Sequence, residues 1–266
     1  MITYSLKSLI LAGAVGFASV SMVGFADDAP DLVKVEQSAL TRNQSLPDYK
    51  TLHHLVDNQS KSMIWLFTGD ISTQGGNFTN NQRTYVQHWE QLIKWEQGRY
   101  NDVVINTGRQ KNTLENINSQ FGWMIGQFRP QVVSVNVGLQ GIKELTDQTL
   151  RDYEGNLSLL LESIRNAGAI PIIQLPVAVL IKDKDDPMVK KLWDTIIKVC
   201  DRDKVIIVDH VSHWNQQAPP VNGPQPWVND GMYPNGLGHC EIFKKLALDL
   251  GFKEMAEKIC PPQASE

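Results

Sequence analysis

The stretch Phe67-Thr68-Gly69-Asp70-Ile71-Ser72-Thr73-Gln74-Gly75-Gly76 decides the fold. An apolar run from Met63 leads into it, and a helical pattern begins at Arg83. This order predicts a strand, a tight turn and a helix, with the turn at the carboxyl end of the strand. In open α/β sheets such turns line the ligand crevice. The sequence therefore places a candidate site on this turn.

Four further apolar runs alternate with helical patterns along the rest of the chain. The predicted strands are 63–68, 103–106, 132–137, 169–174 and 205–208. The predicted helices are 46–56, 83–97, 113–123, 150–167, 187–199 and 236–259. The last helix has a candidate break at Gly251. Residues 212–229 are predicted to form a loop. Continuous apolar strands separated by helices indicate a parallel sheet covered on both faces. We therefore predict an α/β protein, a three-layer α/β/α sandwich with a five-stranded parallel sheet.

The first 26 residues have the features of a secretory signal peptide. Lys7 supplies the positive charge, residues 9–23 are apolar, and Gly24-Phe25-Ala26 fits a small-x-small cleavage site. An uncleaved membrane anchor is the alternative, because the apolar stretch is near the length that a bilayer span requires. We predict cleavage after Ala26, a secreted or periplasmic protein, and no stable membrane span in the mature chain.

Composition sets further bounds on organisation and partners. The 266 residues are 42% hydrophobic, which allows one full core. We predict an N-terminal arm with a short helix over 27–60, a single domain over 61–260 and a tail over 261–266. The net charge of −4 becomes −5 after signal removal, with 24 basic and 29 acidic residues, so no nucleic-acid partner is expected. The oligomeric state is left open.

No cofactor or metal site is predicted. The dinucleotide fingerprint and the phosphate-binding loop are absent from the sequence. His210 and His213 are close in sequence, but no Cys or carboxylate set completes a metal site. His53 and His54 are adjacent and are interpreted as surface residues, because neighbouring helical side chains point about 100° apart.

The three cysteines are Cys200, Cys240 and Cys260. If the chain is exported, they are in an oxidising compartment in which disulfides form. One continuous helix from Cys240 to Cys260 would separate them by about 30 Å, at 1.5 Å per residue. Cys200 and Cys260 each end a helix at the same edge of the predicted sheet. We therefore predict a Cys200–Cys260 disulfide and a free Cys240, unless Gly251 folds the last helix back.

Four blocks follow the first three strands or precede the last helix. They are Gly69-Asp70-Ile71-Ser72-Thr73-Gln74-Gly75, Asn106-Thr107-Gly108-Arg109-Gln110-Lys111-Asn112-Thr113, Val137-Gly138-Leu139-Gln140-Gly141 and Asp230-Gly231-Met232-Tyr233-Pro234-Asn235. Together they resemble the SGNH/GDSL hydrolase family, which has a flavodoxin-like esterase fold. The resemblance covers most of the chain after Met63 and implies a crevice in which esters are hydrolysed by a serine nucleophile.

The chain departs from the family at each of four functional positions. Ile71 stands at the position of the nucleophilic Ser, and Lys111 at that of the oxyanion-hole Gly. Gln140 stands at the position of the oxyanion-hole Asn, and Tyr233 at that of the His base. The residues that shape the crevice, Gly69, Asp70 and Gly138, remain. The resemblance therefore implies a catalytically degenerate protein, a pseudoenzyme that binds a glycan or an acylated polymer in the old crevice or has a structural role.

An active esterase with a rearranged site is the alternative. Ser72 would be its nucleophile, His239 its base and Asp230 the acid that orients the base. We favour simpler roles, with Ser72 as a helix N-cap and His239 on a helix surface or at the edge of the core. A third alternative is an engineered exchange of the Ser and Ile in the first block. Trp214 and Trp227 either stack on a sugar or pack their loop, and the sequence does not decide between these roles.

Overall fold

The structure, a computed structural model, describes residues 39–136, 138, 144–176, 187–217, 226–229 and 233–261, except for the side chain of Asn77. The predicted signal peptide, the first part of the arm and the tail after residue 261 lie outside these ranges. So do Gln140, Gly141 and Asp230 of the sequence blocks. Within the described ranges, no helix combines the length and the apolar character that a bilayer span requires.

Five parallel strands form the central sheet, as predicted. The strands are β1 (Ile64–Gly69), β2 (Val103–Asn106), β3 (Val132–Asn136), β4 (Ile170–Gln174) and β5 (Ile206–Val208). Their spatial order is β2-β1-β3-β4-β5. Leu66 of β1 pairs with Ile105 of β2 and with Val133 of β3. This register brings the carboxyl ends of β1, β2 and β3 to one edge of the sheet, together with the first two sequence blocks and Gly138 of the third.

Helices cover both faces of this sheet. They are α1 (Pro47–Asp57), α2 (Ile71–Gln74), α3 (Tyr85–Gln91, continued by a π-helical segment Leu92–Glu96), α4 (Leu114–Ser119), α5 (Phe121–Met124), α6 (Asp147–Asn166), α7 (Pro187–Arg202), α8 (His210–Gln217), α9 (Gly236–Asp249) and α10 (Lys253–Ile259). Short 3₁₀ turns lie at Asn77–Thr79 and Gly126–Phe128, and a two-stranded hairpin joins β6 (Val228–Asn229) to β7 (Tyr233–Pro234).

The core is divided by the sheet because successive strand side chains point to opposite faces. Trp65 and Phe67 of β1 belong to a cluster with residues of α1, α3, α9 and α10. Leu66, between them, belongs to a cluster with residues of α4, α6 and α7. The fold is therefore the predicted three-layer α/β/α arrangement.

Two segments predicted without regular structure are partly helical. Residues 39–44, in the part of the N-terminal arm before the predicted helix 46–56, form a helical turn. Asn43 anchors it, because its buried amide donates to the carbonyls of Ile207 at 2.7 Å and Asp249 at 3.1 Å. The predicted loop 212–229 contains most of α8. Asp209, which precedes this helix, accepts a hydrogen bond from the backbone N–H of Ser212. Capping at Asp209 was the sequence signal for this helix.

The interpretation of both neighbouring histidines as surface residues is correct only for His54. His54 is exposed, whereas His53 is half-buried. The His53 ring lies between Tyr49 and Phe252, with centroid distances of 4.4 and 5.3 Å. Its Nε2 also lies 2.9 Å from the carbonyl oxygen of Leu250. His53 therefore packs α1 against the turn between α9 and α10.

The predicted disulfide is wrong: Cys240 pairs with Cys260, and Cys200 is a free, buried thiol. The last helix breaks at Gly251, which has a φ of +84°, and α10 folds back on α9. The two Cα atoms thereby lie 5.9 Å apart, within disulfide reach. Burial raises the pKa of the Cys200 thiol to about 12, so this cysteine is neutral at ordinary pH.

Candidate active site

The turn after β1 is built on a backbone contact that requires glycine. Gly69 has a φ of +151°, and a Cβ atom there would lie 2.0 Å from the carbonyl oxygen of Asn136. That carbonyl, on the neighbouring strand β3, accepts a hydrogen bond from the N–H of Asp70 at 3.1 Å. The end of β1 is therefore fixed directly against the end of β3.

Asp70 connects two of the sequence blocks. Its Oδ1 accepts a hydrogen bond from the N–H of Ser72 at 2.9 Å, and its Oδ2 accepts one from the N–H of Gly138 at 3.2 Å. Burial raises the pKa of Asp70, while the hydrogen bonds from Ser72 and Gly138 act in the opposite direction. The carboxylate caps α2 and holds Gly138, which follows β3, against the turn after β1.

Ile71 and Ser72 are the first two residues of α2, and both are buried. The exposed fraction is 6% for Ile71 and 2% for Ser72. The predicted N-cap role of Ser72 is wrong, because Asp70 is the N-cap and Ser72 donates to it. The Ser72 hydroxyl has no hydrogen-bond partner among the described residues. Its proximity to the carboxylate nevertheless contributes to lowering the pKa of Asp70.

The second block lies against the first through backbone contacts. The N–H of Arg109 and the amide of Asn112 both donate to the carbonyl of Gly69, at 3.0 and 3.2 Å. The N–H of Gln110 donates to Oε1 of Gln74 at 2.6 Å. Lys111 is exposed and has a φ of +61°. The chain thus adopts, at a lysine, a left-handed conformation that glycine adopts at little cost.

This conformation makes a prediction about stability. Lys111→Gly should raise the free energy of unfolding by about 1 kcal/mol, because a non-glycine residue at positive φ is strained by roughly that amount. Urea denaturation of both proteins measures the change. Lys190→Gly, in α7, is a helical control that should lower stability by about 1 kcal/mol. An unchanged or lowered midpoint for Lys111→Gly would contradict the strained conformation.

His239 is deep in the core and not at its edge. It is 1% exposed and lies in α9, with its ring stacked on Tyr85 at a centroid distance of 6.0 Å. The N–H of Tyr85 donates to Nδ1 of His239 at 3.3 Å, which assigns the proton of the neutral ring to Nε2. Burial lowers the pKa of His239 to about 3, with a smaller contribution from His88. The imidazole is therefore neutral over the ordinary pH range.

Tyr233 packs against the loop that follows α2. Its ring lies 4.1 Å from that of Phe78, with a tilt of 34°. The amide of Asn229, its hairpin partner, donates to the carbonyl of Phe78. The phenol at the family's base position thus helps to hold the loop of residues 77–80. Tyr233→His would remove part of a ring contact. It is therefore expected to lower the free energy of unfolding by more than a substitution at an exposed position without contacts.

Trp214 of α8 and Trp227, which precedes β6, pack against each other. Trp214 is 1% exposed, and its ring meets that of Trp227 edge-on at 5.0 Å. The half-buried Trp227 also lies parallel to the ring of His213 at 6.2 Å. The packing role is therefore correct for Trp214, whose buried ring has no face left for a sugar.

A buried polar network near the turn after β1 was missed by sequence reasoning. The hydroxyl of Tyr85 lies 2.9 Å from that of Thr73. The amide of Gln174 donates to the hydroxyl of Ser134 at 2.8 Å, and its Oε1 lies 2.8 Å from Nε2 of His210. A polar residue at the end of the otherwise apolar strand β4 was the signal for this network. It links β3, β4 and α8 below the turn that carries Ser72.

The described part of the site brings together the turn after β1, the second block and Gly138. Asp230, the proposed acid, and Gln140, at the family's Asn position, lie outside the described residues. The roles of Ser72, His239 and Asp230 therefore stay predictions. Besides the Ser72 hydroxyl, Oγ1 of Thr68 and Oδ1 of Asn112 are buried without hydrogen-bond partners among the described residues.

Comparisons with known proteins identify the fold. No protein-family model matches the chain, and no curated protein matches it. Axe2, an acetylxylan esterase from Geobacillus stearothermophilus, matches with a TM-score of 0.59 and 18% identity, over 71% of this chain and 94% of that chain. A Parabacteroides merdae protein described as a GDSL-like lipase matches with a TM-score of 0.60 and 22% identity, over 73% of this chain and 97% of that chain. LAE5, an alpha/beta hydrolase enzyme from the Lake Arreo metagenome, matches with a TM-score of 0.57 and 17% identity, over 72% of this chain and 96% of that chain. The chain has an SGNH/GDSL hydrolase fold.

Proposed function

We propose that this chain is an exported SGNH-fold protein that does not hydrolyse esters and binds a glycan or another acylated polymer in the crevice at the carboxyl ends of β1 to β3. One observation carries the proposal: Ile71 occupies the first helical position after Asp70, where the family has its nucleophilic serine. An aliphatic side chain has no lone pair with which to attack a carbonyl in any protonation state.

The surroundings of His239 support the loss of the base. A general base works best with a pKa near the operating pH, and burial moves the pKa of His239 to about 3. Its Nδ1 accepts from Tyr85, so in the neutral ring Nε2 carries a proton and has no lone pair for a serine hydroxyl. Tyr233 has a phenol where the family has the imidazole, and its ring packs on Phe78, so it supplies no basic nitrogen to the site.

The oxyanion hole is altered at two further positions. Lys111 keeps its backbone N–H, but it places a long cation where the family has no side chain. Gln140 keeps an amide donor on a stem that is longer by one methylene, and donors must sit within about 3 Å of the developing charge. Four independent changes at atoms that carry the chemistry are more consistent with a retained scaffold than with a working enzyme.

The likeness to an esterase of acetylated glycans supports a binding role. Axe2 is described as an acetyl-xylooligosaccharide esterase, which favours an acetylated glycan as the ligand of this chain. Oγ1 of Thr68, the Ser72 hydroxyl and Oδ1 of Asn112 have no hydrogen-bond partner among the described residues. Because these atoms are buried, ordered water is expected to satisfy them, and a glycan would contact the exposed groups around them.

The second candidate function is ester hydrolysis by Ser72 with His239 and Asp230. The observation that favours it is the Ser72 hydroxyl, which has no competing hydrogen bond among the described residues and lies close to Asp70. The 2% exposure of Ser72 opposes it, because a nucleophile must reach its substrate.

Turnover of short-chain esters and of acetylated xylo-oligosaccharides separates the two candidates. We expect background rates for the unmodified protein and no change on Ser72→Ala. The simultaneous substitutions Ile71→Ser, Lys111→Gly, Gln140→Asn and Tyr233→His should produce a measurable rate, whereas each alone should not, because members of a catalytic unit are non-additive. Turnover that Ser72→Ala abolishes would establish the second candidate. Calorimetric titration of the same oligosaccharides tests binding, and no binding to any of them would remove the glycan ligand from the proposal.

Export makes a separate prediction. Protein secreted from an expressing cell should have the intact mass of a chain that begins at Asp27, because cleavage is expected after Ala26. The matched control is Ala26→Arg, which should block cleavage by removing the small residue that the peptidase requires. Exported material that still contains Lys7 would contradict signal removal.

A further inference from the structure

The disulfide between α9 and α10 lies beside an imidazole on a third helix. A ring nitrogen of His88, in α3, and the Sγ atoms of Cys240 and Cys260 all lie within 4.8 Å of one another. Nδ1 of His88 is buried and has no hydrogen-bond partner among the described residues. The cluster thus joins two sulfurs and one imidazole from three helices. Nothing in the crevice described above uses these residues.

We propose that reduction of the Cys240–Cys260 disulfide converts this cluster into a binding site for Zn²⁺ or a similar soft divalent cation. Two thiolates and one imidazole form a Cys₂His set, and these are ligand types that zinc prefers. In a tetrahedral zinc site with bonds of about 2.0–2.3 Å, ligand atoms lie within 4 Å of each other. The three groups are already close to this spacing and need little movement.

The chemical steps are balanced by a dithiol or phosphine reductant. Two electrons from the reductant break the S–S bond, and two protons complete the thiols of Cys240 and Cys260. A dithiol supplies both protons and is oxidised to its own disulfide. A phosphine is oxidised to its phosphine oxide, and one water supplies the oxygen and both protons. Metal binding then releases two protons, because the thiolate and not the thiol is the ligand. The fourth coordination position is left to water.

The surrounding structure holds the ligands together after reduction. Phe252 and Ala256 are buried in the same core cluster as Ile242 and Leu246, so apolar packing and not only the disulfide docks α10 on α9. The His88 ring lies against Phe243, at a centroid distance of 5.4 Å. The reduced chain is therefore expected to keep its ligands within reach of one cation.

Two of the three cluster residues lie at the edge of the core. Cys240 and His88 are half-buried, whereas Cys260 is 1% exposed. The proposal therefore requires the reductant and the cation to reach the cluster from the side of Cys240 and His88. Cys200 is buried in the other core cluster and takes no part.

Cobalt(II) titration of the phosphine-reduced protein tests the proposal. We expect one Co²⁺ per chain, a thiolate-to-cobalt charge-transfer band and its loss on addition of Zn²⁺. Zn²⁺ should also raise the melting temperature of the reduced protein, because the metal binds the folded state. The non-reduced protein should show none of these changes.

Two variants separate this site from other sources of the signal. His88→Gln should weaken binding by more than about 100-fold, beyond the usual effect of losing a supporting hydrogen bond to a ligand. Cys200→Ser should bind as the unmodified protein does. The proposal is overturned if reduction adds no binding, if His88→Gln binds within about tenfold of wild type, or if the signal follows Cys200. If reduction unfolds the chain, Zn²⁺ is added to the unfolded protein. Refolding that occurs in the unmodified protein but not in His88→Gln would support the site. A chain that stays unfolded with Zn²⁺ would reject it.

Discussion

Gly69→Ala is expected to lower the free energy of unfolding by more than about 4 kcal/mol, or to prevent folding. The added Cβ would lie 2.0 Å from the carbonyl oxygen of Asn136, which is a backbone atom and cannot rotate away. The φ of +151° would also be strained with any side chain. Relieving the clash separates β1 from β3 at the edge that carries the site. Losses of this size are rare for single substitutions and occur when packing or backbone geometry is broken.

Gly155→Ala is the matched control. Gly155 lies in the middle of α6, and a Cβ there would meet no atom within 4 Å. The free energy of unfolding of this variant should rise by about 0.5–1 kcal/mol, because alanine is a better helix former than glycine. Urea denaturation followed by circular dichroism measures both proteins. A Gly69→Ala protein within about 1 kcal/mol of wild type would show that the two strand ends do not depend on this close contact.

Lys245→Met is expected to lower the free energy of unfolding at pH 7 by about 3–5 kcal/mol. Lys245 and Asp249 form a buried ion pair at 2.9 Å, with side-chain exposures of 2% and 0%. Removing the ammonium leaves a buried carboxylate whose remaining donors are backbone groups such as the N–H of Asp209. The double variant Lys245→Met with Asp249→Asn removes both charges and should recover most of the loss.

The same pair makes a pH prediction. Burial raises the pKa of Asp249 to about 6, while Lys245 acts in the opposite direction. Because the folded pKa lies above the unfolded value of about 3.9, this carboxyl stabilises the fold fully below about pH 4 and loses that contribution as pH rises through about 6. A carboxyl pKa of about 6 in the folded chain and about 3.9 in the unfolded chain corresponds to about 3 kcal/mol of stability. The double variant should lack this part of the pH dependence.

The loss in Lys245→Met should accordingly be smaller at pH 5 than at pH 8, since the unpaired carboxyl can take up a proton. Chemical denaturation at these two pH values measures the difference. An equal loss at both pH values, or a double variant as unstable as Lys245→Met, would contradict the ion-pair account.

Much of the fold could be predicted from sequence because buried parallel strands are continuous apolar runs. Residues 63–68 were predicted for β1 and 64–69 are observed, and β2 has the predicted bounds 103–106. The disulfide could not be predicted because it depends on the direction in which the chain leaves Gly251. Periodicity records a break at such a glycine but not the angle between the helices that it joins.

The candidate site was less predictable than the fold. The motif placed Ile71 and Ser72 on the turn after β1, but it did not show that Asp70, and not Ser72, caps the helix. It did not show that Lys111 adopts a positive φ, which depends on the contacts of Arg109 and Asn112 with Gly69. The burial of His239 was also hidden, because Tyr85, on which its ring stacks, is 154 residues away in sequence.

Covalent labelling with a fluorophosphonate tests the central claim, the absence of a serine nucleophile, most directly. Such a probe transfers its phosphonyl group to an activated serine hydroxyl and loses fluoride, and it needs no knowledge of the natural substrate. A serine esterase in a parallel sample is the positive control. The account predicts no added mass on the intact protein after prolonged incubation, with identical spectra for wild type and Ser72→Ala. One phosphonyl group per chain on the peptide containing Ser72, absent in Ser72→Ala, would contradict it.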